Sequence, residues 1–134
     1  MPDEVRVAIR TDADVVTARQ EARTMGAALG FSSTDLTLLA TAISEVARNI
    51  TTYAGEGELT LRVLDEDGRR GIEVLAIDEG PGIADVELAM QDGYTTGTGL
   101  GLGLPGTRRL VDDFELDTTP GAGTRVRMVK WTRA

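Results

Sequence analysis

The sequence predicts an α/β protein of the α+β kind: a two-layer sandwich in which a mixed, mostly antiparallel sheet is covered by helices on one face. Three observations predict it. Two amphipathic helical stretches follow each other near the start. Apolar alternation of period two recurs after them, and helical and strand patterns segregate instead of alternating strictly. The chain has 134 residues and no repeat, linker or low-complexity tail, so residues 1–134 read as a single domain.

Val5, Val7 and Ile9 alternate with Arg6, Ala8 and Arg10, the pattern of a half-buried first strand. From Ala13 to Leu29, Val15, Ala18, Ala22, Met25 and Leu29 recur at three- and four-residue steps, with Asp12 as N-cap and Gly30 as stop. Ser32 and Asp35 have capping-box spacing and open a second helix, which runs toward Tyr53 until Gly55 and Gly57 end it. Its buried stripe is Leu36, Leu39, Ala40, Ile43, Val46, Ala47 and Ile50. Leu59, Leu61 and Val63 then mark a strand, Asp65 to Gly68 a turn, and Gly71 to Asp78 a second strand. That second strand is apolar on both faces near its end and therefore central. A glycine-rich stretch leads to a helix from about Leu102 to Val111. Strands Phe114–Thr119 and Thr124–Trp131 follow, joined through Pro120 to Gly123.

Composition narrows the chemistry. Hydrophobic residues make up 41% and charged residues 27%, enough to bury a core and unlike a disordered chain. Fourteen Lys and Arg against 22 Asp and Glu give a net charge of −8, which argues against nucleic-acid and membrane-surface partners. The start MPDEVRVAIR carries acids where a signal peptide needs basic and then apolar residues, so a cytoplasmic location is expected. The chain has neither cysteine nor histidine. Thiolate chemistry, a Ser-His-Asp triad, a His-ligated zinc and a self-phosphorylated histidine are therefore excluded within it. Its one lysine, Lys130, lies in neither a P-loop nor the strand context of a conventional protein kinase. Any phosphate handled here must be met by backbone amides, arginine and a metal.

Three constellations can carry such chemistry. Glu45 and Asn49 are four residues apart in Ser44-Glu45-Val46-Ala47-Arg48-Asn49-Ile50, so they share a helix face with Leu38 and Ala42. One reading makes them a pocket wall, with Glu45 a base and Asn49 the holder of a divalent cation; the other makes them an exposed helical pair. Asp78-Glu79-Gly80-Pro81-Gly82-Ile83 follows the central strand. It reads either as a carboxylate presented to a purine amino group with glycines that allow close approach, or as an ordinary turn. The run Gly97-Thr98-Gly99-Leu100-Gly101-Leu102-Gly103-Leu104-Pro105-Gly106 precedes a helix bearing Arg108 and Arg109. Amides unpaired at a helix start suit phosphate oxygens, while the alternative is a flexible loop. Residues 101–106 fit GxGxxG, but no strand precedes them and too little chain follows for a dinucleotide-binding fold. Thr124, after Gly121-Ala122-Gly123, is on its own merely a good strand residue.

The order Glu45…Asn49, Asp78…Gly80…Gly82, then Gly97–Gly106 resembles the N box and two glycine boxes of the GHKL ATPase and kinase superfamily. The runs SEVARNITTYAGEGEL, GLGLGLPGTRRLVDDFEL and GTRVRMVKW look like its small serine/threonine switch kinases of RsbT type, and the resemblance covers nearly the whole chain. It implies ATP and Mg²⁺ as cofactors. It also implies Glu45 as the acid that activates an attacking hydroxyl, Asn49 as the Mg²⁺ ligand and Asp78 as the reader of adenine. Gly80, Gly82 and Ile83 would shape the adenine pocket, with Thr124 on its far side. Gly97, Thr98, Gly99, Leu100, Gly101, Leu102 and Gly103 would form the phosphate cradle. Arg108 and Arg109 are added as phosphate contacts on charge and placement alone. The partners implied are STAS-domain proteins carrying a Ser or Thr acceptor, such as stressosome or anti-sigma-factor antagonists, with a downstream phosphatase or a sigma factor beyond them. The alternative is a nucleotide-regulated binding module without essential kinase activity; a metabolic ATPase stands third.

Overall fold

The computed structural model describes residues 3–80, 103–119 and 121–132. Strands β1 (Glu4–Ile9), β2 (Gly57–Glu66), β3 (Arg69–Asp78), β4 (Asp113–Thr119) and β5 (Gly123–Trp131) form one sheet in the order β1-β2-β3-β5-β4. Every pairing among the described residues is antiparallel, in keeping with the mostly antiparallel sheet expected from sequence. Helices α1 (Asp12–Leu29), α2 (Ser33–Asn49) and α3 (Gly103–Leu110), with a π-helical turn after α2, complete the described elements.

The helix ends follow local chemistry. Thr11, not Asp12, is the N-cap of α1, because Asp14 rather than Asp12 turns its carboxylate back onto the entering chain. Asp14 Oδ2 accepts from the Arg10 and Thr11 amides at 2.9 and 3.1 Å. These bonds, the Arg10 amide foremost, hold the Asp14 carboxyl below the ordinary carboxylate range. At the other end Gly30 turns left-handed at φ 87°, and the amides of Gly30 and Phe31 bond back to Ala27 and Gly26 at 3.1 and 3.0 Å. Ser32 caps α2 by accepting from the Asp35 amide at 3.1 Å.

Helix α2 stops being α-helical at Asn49, short of the expected Tyr53. The chain winds on as a π-helical turn over Ile50–Ala54, a wider coil that recurs beside functional sites. The β2–β3 turn is tighter than expected, only Asp67 and Gly68, both at positive φ (53° and 78°) as a type I′ hairpin demands.

Residues of one pleat face of the sheet meet the helices. Ile9, Leu59, Leu61, Ile72, Val74 and Met128 are fully buried there against Ala18, Met25, Leu39, Ile43 and Val46. The expected α2 stripe is buried throughout except Leu36, which is partly covered. The opposite sheet face carries a charge ladder, and among the described residues no helix covers it. Glu73, only 11% exposed, pairs with Arg127 at 2.7 Å and with Arg62 at 3.0 Å. The Arg127 guanidinium is held protonated more firmly than usual, chiefly by its hydrogen bond to Glu73. Among the described residues no helix is long and apolar enough to cross a membrane.

Candidate functional site

One register line crosses all five strands at the same end of the sheet: Ile9, Gly57, Asp78, Thr124 and Thr118. Residues in such a row share a pleat face, and Ile9 places this row on the helix side. Asp78 and Thr124, 46 residues apart in sequence, are thereby direct cross-strand neighbours.

Backbone closeness builds the floor around Asp78. Oδ1 of Asp78 accepts from the Gly80 amide at 2.9 Å, a bond that fixes the carboxylate rotamer, and Oδ2 has no partner among the described residues. A Cβ on Gly80 would come within 2.5 Å of Ala54 Cβ and 2.8 Å of Ala54 Cα, at the end of the π-helical turn. A Cβ on Gly57 would meet the Ile77 carbonyl at 2.6 Å and Ile50 Cγ2 at 2.8 Å. Gly123, at φ 112°, lies against the Asp78 carbonyl oxygen, with Glu79 Cα 2.9 Å from where a Cβ would stand. Glycine is needed at these positions because strand ends, the turn after α2 and the start of β5 converge there. On the far side the Thr118 hydroxyl donates to the Gly123 carbonyl at 3.1 Å and lies 3.0 Å from the Thr124 hydroxyl. Thr118 thus orients Thr124, a role the sequence does not signal because an isolated strand threonine carries no pattern.

The end of α2 is brought onto this floor. Ile50, directly after Asn49, touches Gly57, and Gly57 is the cross-strand partner of Asp78. Asn49 is half-buried, and its side-chain amide has no hydrogen-bond partner among the described residues. Its carbonyl oxygen is therefore available to a divalent cation. Among the described residues no cluster of three acidic, His or Cys ligands exists. That donor set fits Mg²⁺, which takes one or two protein oxygens and completes its shell with phosphates and water.

Glu45 is buried, not part of a solvated helix face, and Ala42 on the same face is wholly buried. The Glu45 carboxylate pairs with Arg48 at 3.3 Å. It borders a groove of about 490 Å³ between α1 and α2, lined also by Arg19, Gln20, Arg23, Ser44 and Arg48. Three guanidiniums face one carboxylate there, a cationic groove on an anionic protein. A second hollow of about 510 Å³, at the ends of β2 and β3, has Glu56, Glu58, Asp78 and Glu79 against Arg10 alone. Like charge bars a phosphate from it.

The structure therefore brings Asn49, Asp78, Gly80 and Thr124 to one end of the sheet, with Glu45 one helical turn behind Asn49. Gly103 is the first residue of α3. Arg108 and Arg109 lie exposed in its last turn, at the opposite end from its N-terminal amides. Gly82, Ile83, Gly97, Thr98, Gly99, Leu100, Gly101 and Leu102 lie outside the described residues.

Residues 9–130 match the histidine kinase-like ATPase domain. Over 133 residues, 99% of this chain and 100% of the other, the sequence is 44% identical to the serine/threonine-protein kinase RsbT of Bacillus subtilis (strain 168). It is 42% identical over 97 residues to an anti-sigma F factor of Caldanaerobacter subterraneus subsp. tengcongensis, covering 68% of this chain and 66% of that one. The crystal structure of the RsbU and RsbW domains of a Mycobacterium tuberculosis protein superposes with a TM-score of 0.68 at 18% identity, over 100% of this chain and 34% of that one. The last is a likeness of fold alone, whereas the first two extend to sequence. By both the family match and the identity to RsbT, the chain belongs to the histidine kinase-like ATPase domain family, beside the RsbT-type serine/threonine kinases.

Proposed function

We propose that this chain is an ATP-dependent protein serine/threonine kinase that phosphorylates STAS-domain antagonist or stressosome proteins and acts as a partner switch. The observation that carries the reading is the buried Glu45 carboxylate, one turn from Asn49, on the rim of a groove a protein segment can enter. A module that only bound nucleotide would need no acid there.

Adenine would sit over the row at the sheet end, its exocyclic amine donating to Asp78 Oδ2, which has no partner among the described residues, with Gly80 allowing the close approach and Thr124 on the far side. The phosphates lie toward the N-terminal amides of α3, with Gly97 to Gly103 as their cradle. Asn49 holds Mg²⁺, which when bound neutralises phosphate charge in the manner that phosphoryl transfer requires. Glu45 takes the proton of the acceptor hydroxyl as its oxygen bonds to the γ-phosphorus; the bridging oxygen leaves with its electron pair on ADP. Arg19, Arg23 and Arg48 make the groove attractive to an acidic partner face, and Arg48 holds the Glu45 carboxylate in place. Such a protein works in the cytoplasm, and released kinase can go on to engage a phosphatase or a sigma factor.

The match to an anti-sigma F factor favours one further reading, a nucleotide-regulated binder whose transferase activity is incidental. Labelled ATP, Mg²⁺ and candidate STAS-domain proteins separate the two. Labelling of a partner Ser or Thr supports the kinase, and nucleotide-dependent capture of a sigma factor without labelling supports the binder.

A further inference from the structure

Lys130 is the only lysine of the chain and is 2% exposed. It stands on β5 opposite Ile72 and points into the helix layer, among residues where a methionine or leucine would also pack. Its ammonium does what neither could. Nζ donates to the Leu110 carbonyl at 3.2 Å and lies 3.7 Å from Oδ1 of Asp35, itself 5% exposed. Leu110 is the last residue of α3, where helix carbonyls lack intrahelical partners and the dipole is negative. Asp35 is in the first turn of α2, the helix that carries Glu45 and Asn49. One buried nitrogen thus joins the C-terminus of α3, the N-terminus of α2 and the central strand pair.

We propose that Lys130 is a positioning residue that fixes the angle of α3 against α2, and so the spacing between the α3 N-terminus and Glu45 and Asn49. Its bearing on phosphate rests on the kinase reading above. A buried ion pair is a poor source of net stability, because desolvation of both charges offsets their attraction. What it supplies is direction: a donor aimed at one carbonyl. Helix α3 is about 12 Å long, so a tilt of about 10° around a released C-terminus moves its N-terminus by about 2 Å. Displacements of about 1 Å at a reacting centre can cost about 100-fold in rate.

The test compares wild type, Lys130→Arg and the double variant Lys130→Met/Asp35→Leu, which removes both charges of the pair together. Melting temperature, KM for Mg-ATP, transfer rate and amide hydrogen exchange are read on each. The double variant is expected to melt within a few degrees of wild type. Its α3 amides should exchange about tenfold faster while those of β2 and β3 are unchanged, KM for ATP should rise about tenfold, and Lys130→Arg should recover most of the loss. Wild-type exchange in α3 of the double variant overturns the proposal. So does a general fall in stability with exchange raised everywhere, which would make the pair merely structural. A wild-type protein that binds no ATP would overturn the kinase reading instead, and α3 exchange would still decide the clasp.

Discussion

Gly123→Ala against Gly121→Ala separates backbone strain from steric closeness at the sheet end proposed to take the nucleotide. Both glycines have positive φ, 112° and 82°. A Cβ at Gly121 meets nothing within 4 Å, whereas at Gly123 it strikes the Asp78 carbonyl oxygen and comes within 2.9 Å of Glu79 Cα and 3.1 Å of Asp78 C. All three are backbone atoms, which cannot swing aside as a side chain would. Gly121→Ala therefore costs the left-handed strain alone, about 1–2 kcal/mol. Gly123→Ala costs about 1–3 kcal/mol for a conformation further outside the left-handed region and another 1–3 kcal/mol or so for overpacking. At about 4 °C per kcal/mol for a domain of this size, melting should fall by about 4–8 °C in the first and about 8–24 °C in the second. Relief of the overlap must displace Asp78, so nucleotide affinity should fall in Gly123→Ala only. Thermal unfolding followed by titration with a fluorescent ADP analogue, below both melting points, reads the two effects. Equal losses of stability, or unchanged affinity in a folded Gly123→Ala protein, would refute the placement of Gly123 against a strand end that, on the proposed function, reads adenine.

Asp78→Asn should weaken ATP binding by about 10- to 150-fold, the equivalent of a charged hydrogen bond of about 1.5–3 kcal/mol, as titration calorimetry would show. Glu73→Ala should cost about 1.5–3 kcal/mol in urea unfolding, no more, because Arg62 and Arg127 are 52% and 29% exposed and can turn into solvent. Arg48→Ala should change stability by under about 1 kcal/mol, since Arg48 is 40% exposed, yet slow transfer by releasing Glu45. The Asp14 carboxyl is lowered in the fold, so its contribution to stability is complete above its unfolded pKa and is lost as pH falls through the lowered folded value. The stability profile of Asp14→Asn should therefore be flatter than wild type below about pH 4 and parallel to it above.

Much of this was legible because periodicity and burial agree. The stripe from Leu39 to Ile50 reports a helix on a sheet, and Val5, Val7 and Ile9 report a strand with one wet face. The candidate site was legible by spacing: the four-residue step from Glu45 to Asn49 and the strand-end position of Asp78 survive in three dimensions. Other features depend on contacts that no local pattern encodes. Asp35 reads as a capping acid and Lys130 as a stray cation, and only the packing of α2, α3 and β5 makes them partners. The π-helical turn at Ile50 arises where α2 must settle on Gly57 and Ala54 must meet Gly80, a tertiary demand that overrides the helical propensity of the run to Tyr53. Thr118 becomes informative only once register sets it beside Thr124.

The proposed kinase depends on Glu45 acting on an acceptor hydroxyl and not serving ATP binding. The measurement that tests it most directly is Mg²⁺-dependent transfer from labelled ATP to STAS-domain partners, with Glu45→Ala beside wild type. Ser or Thr labelling is expected to fall by about 100- to 10,000-fold in the variant while nucleotide affinity holds. Transfer at the wild-type rate by Glu45→Ala would contradict it.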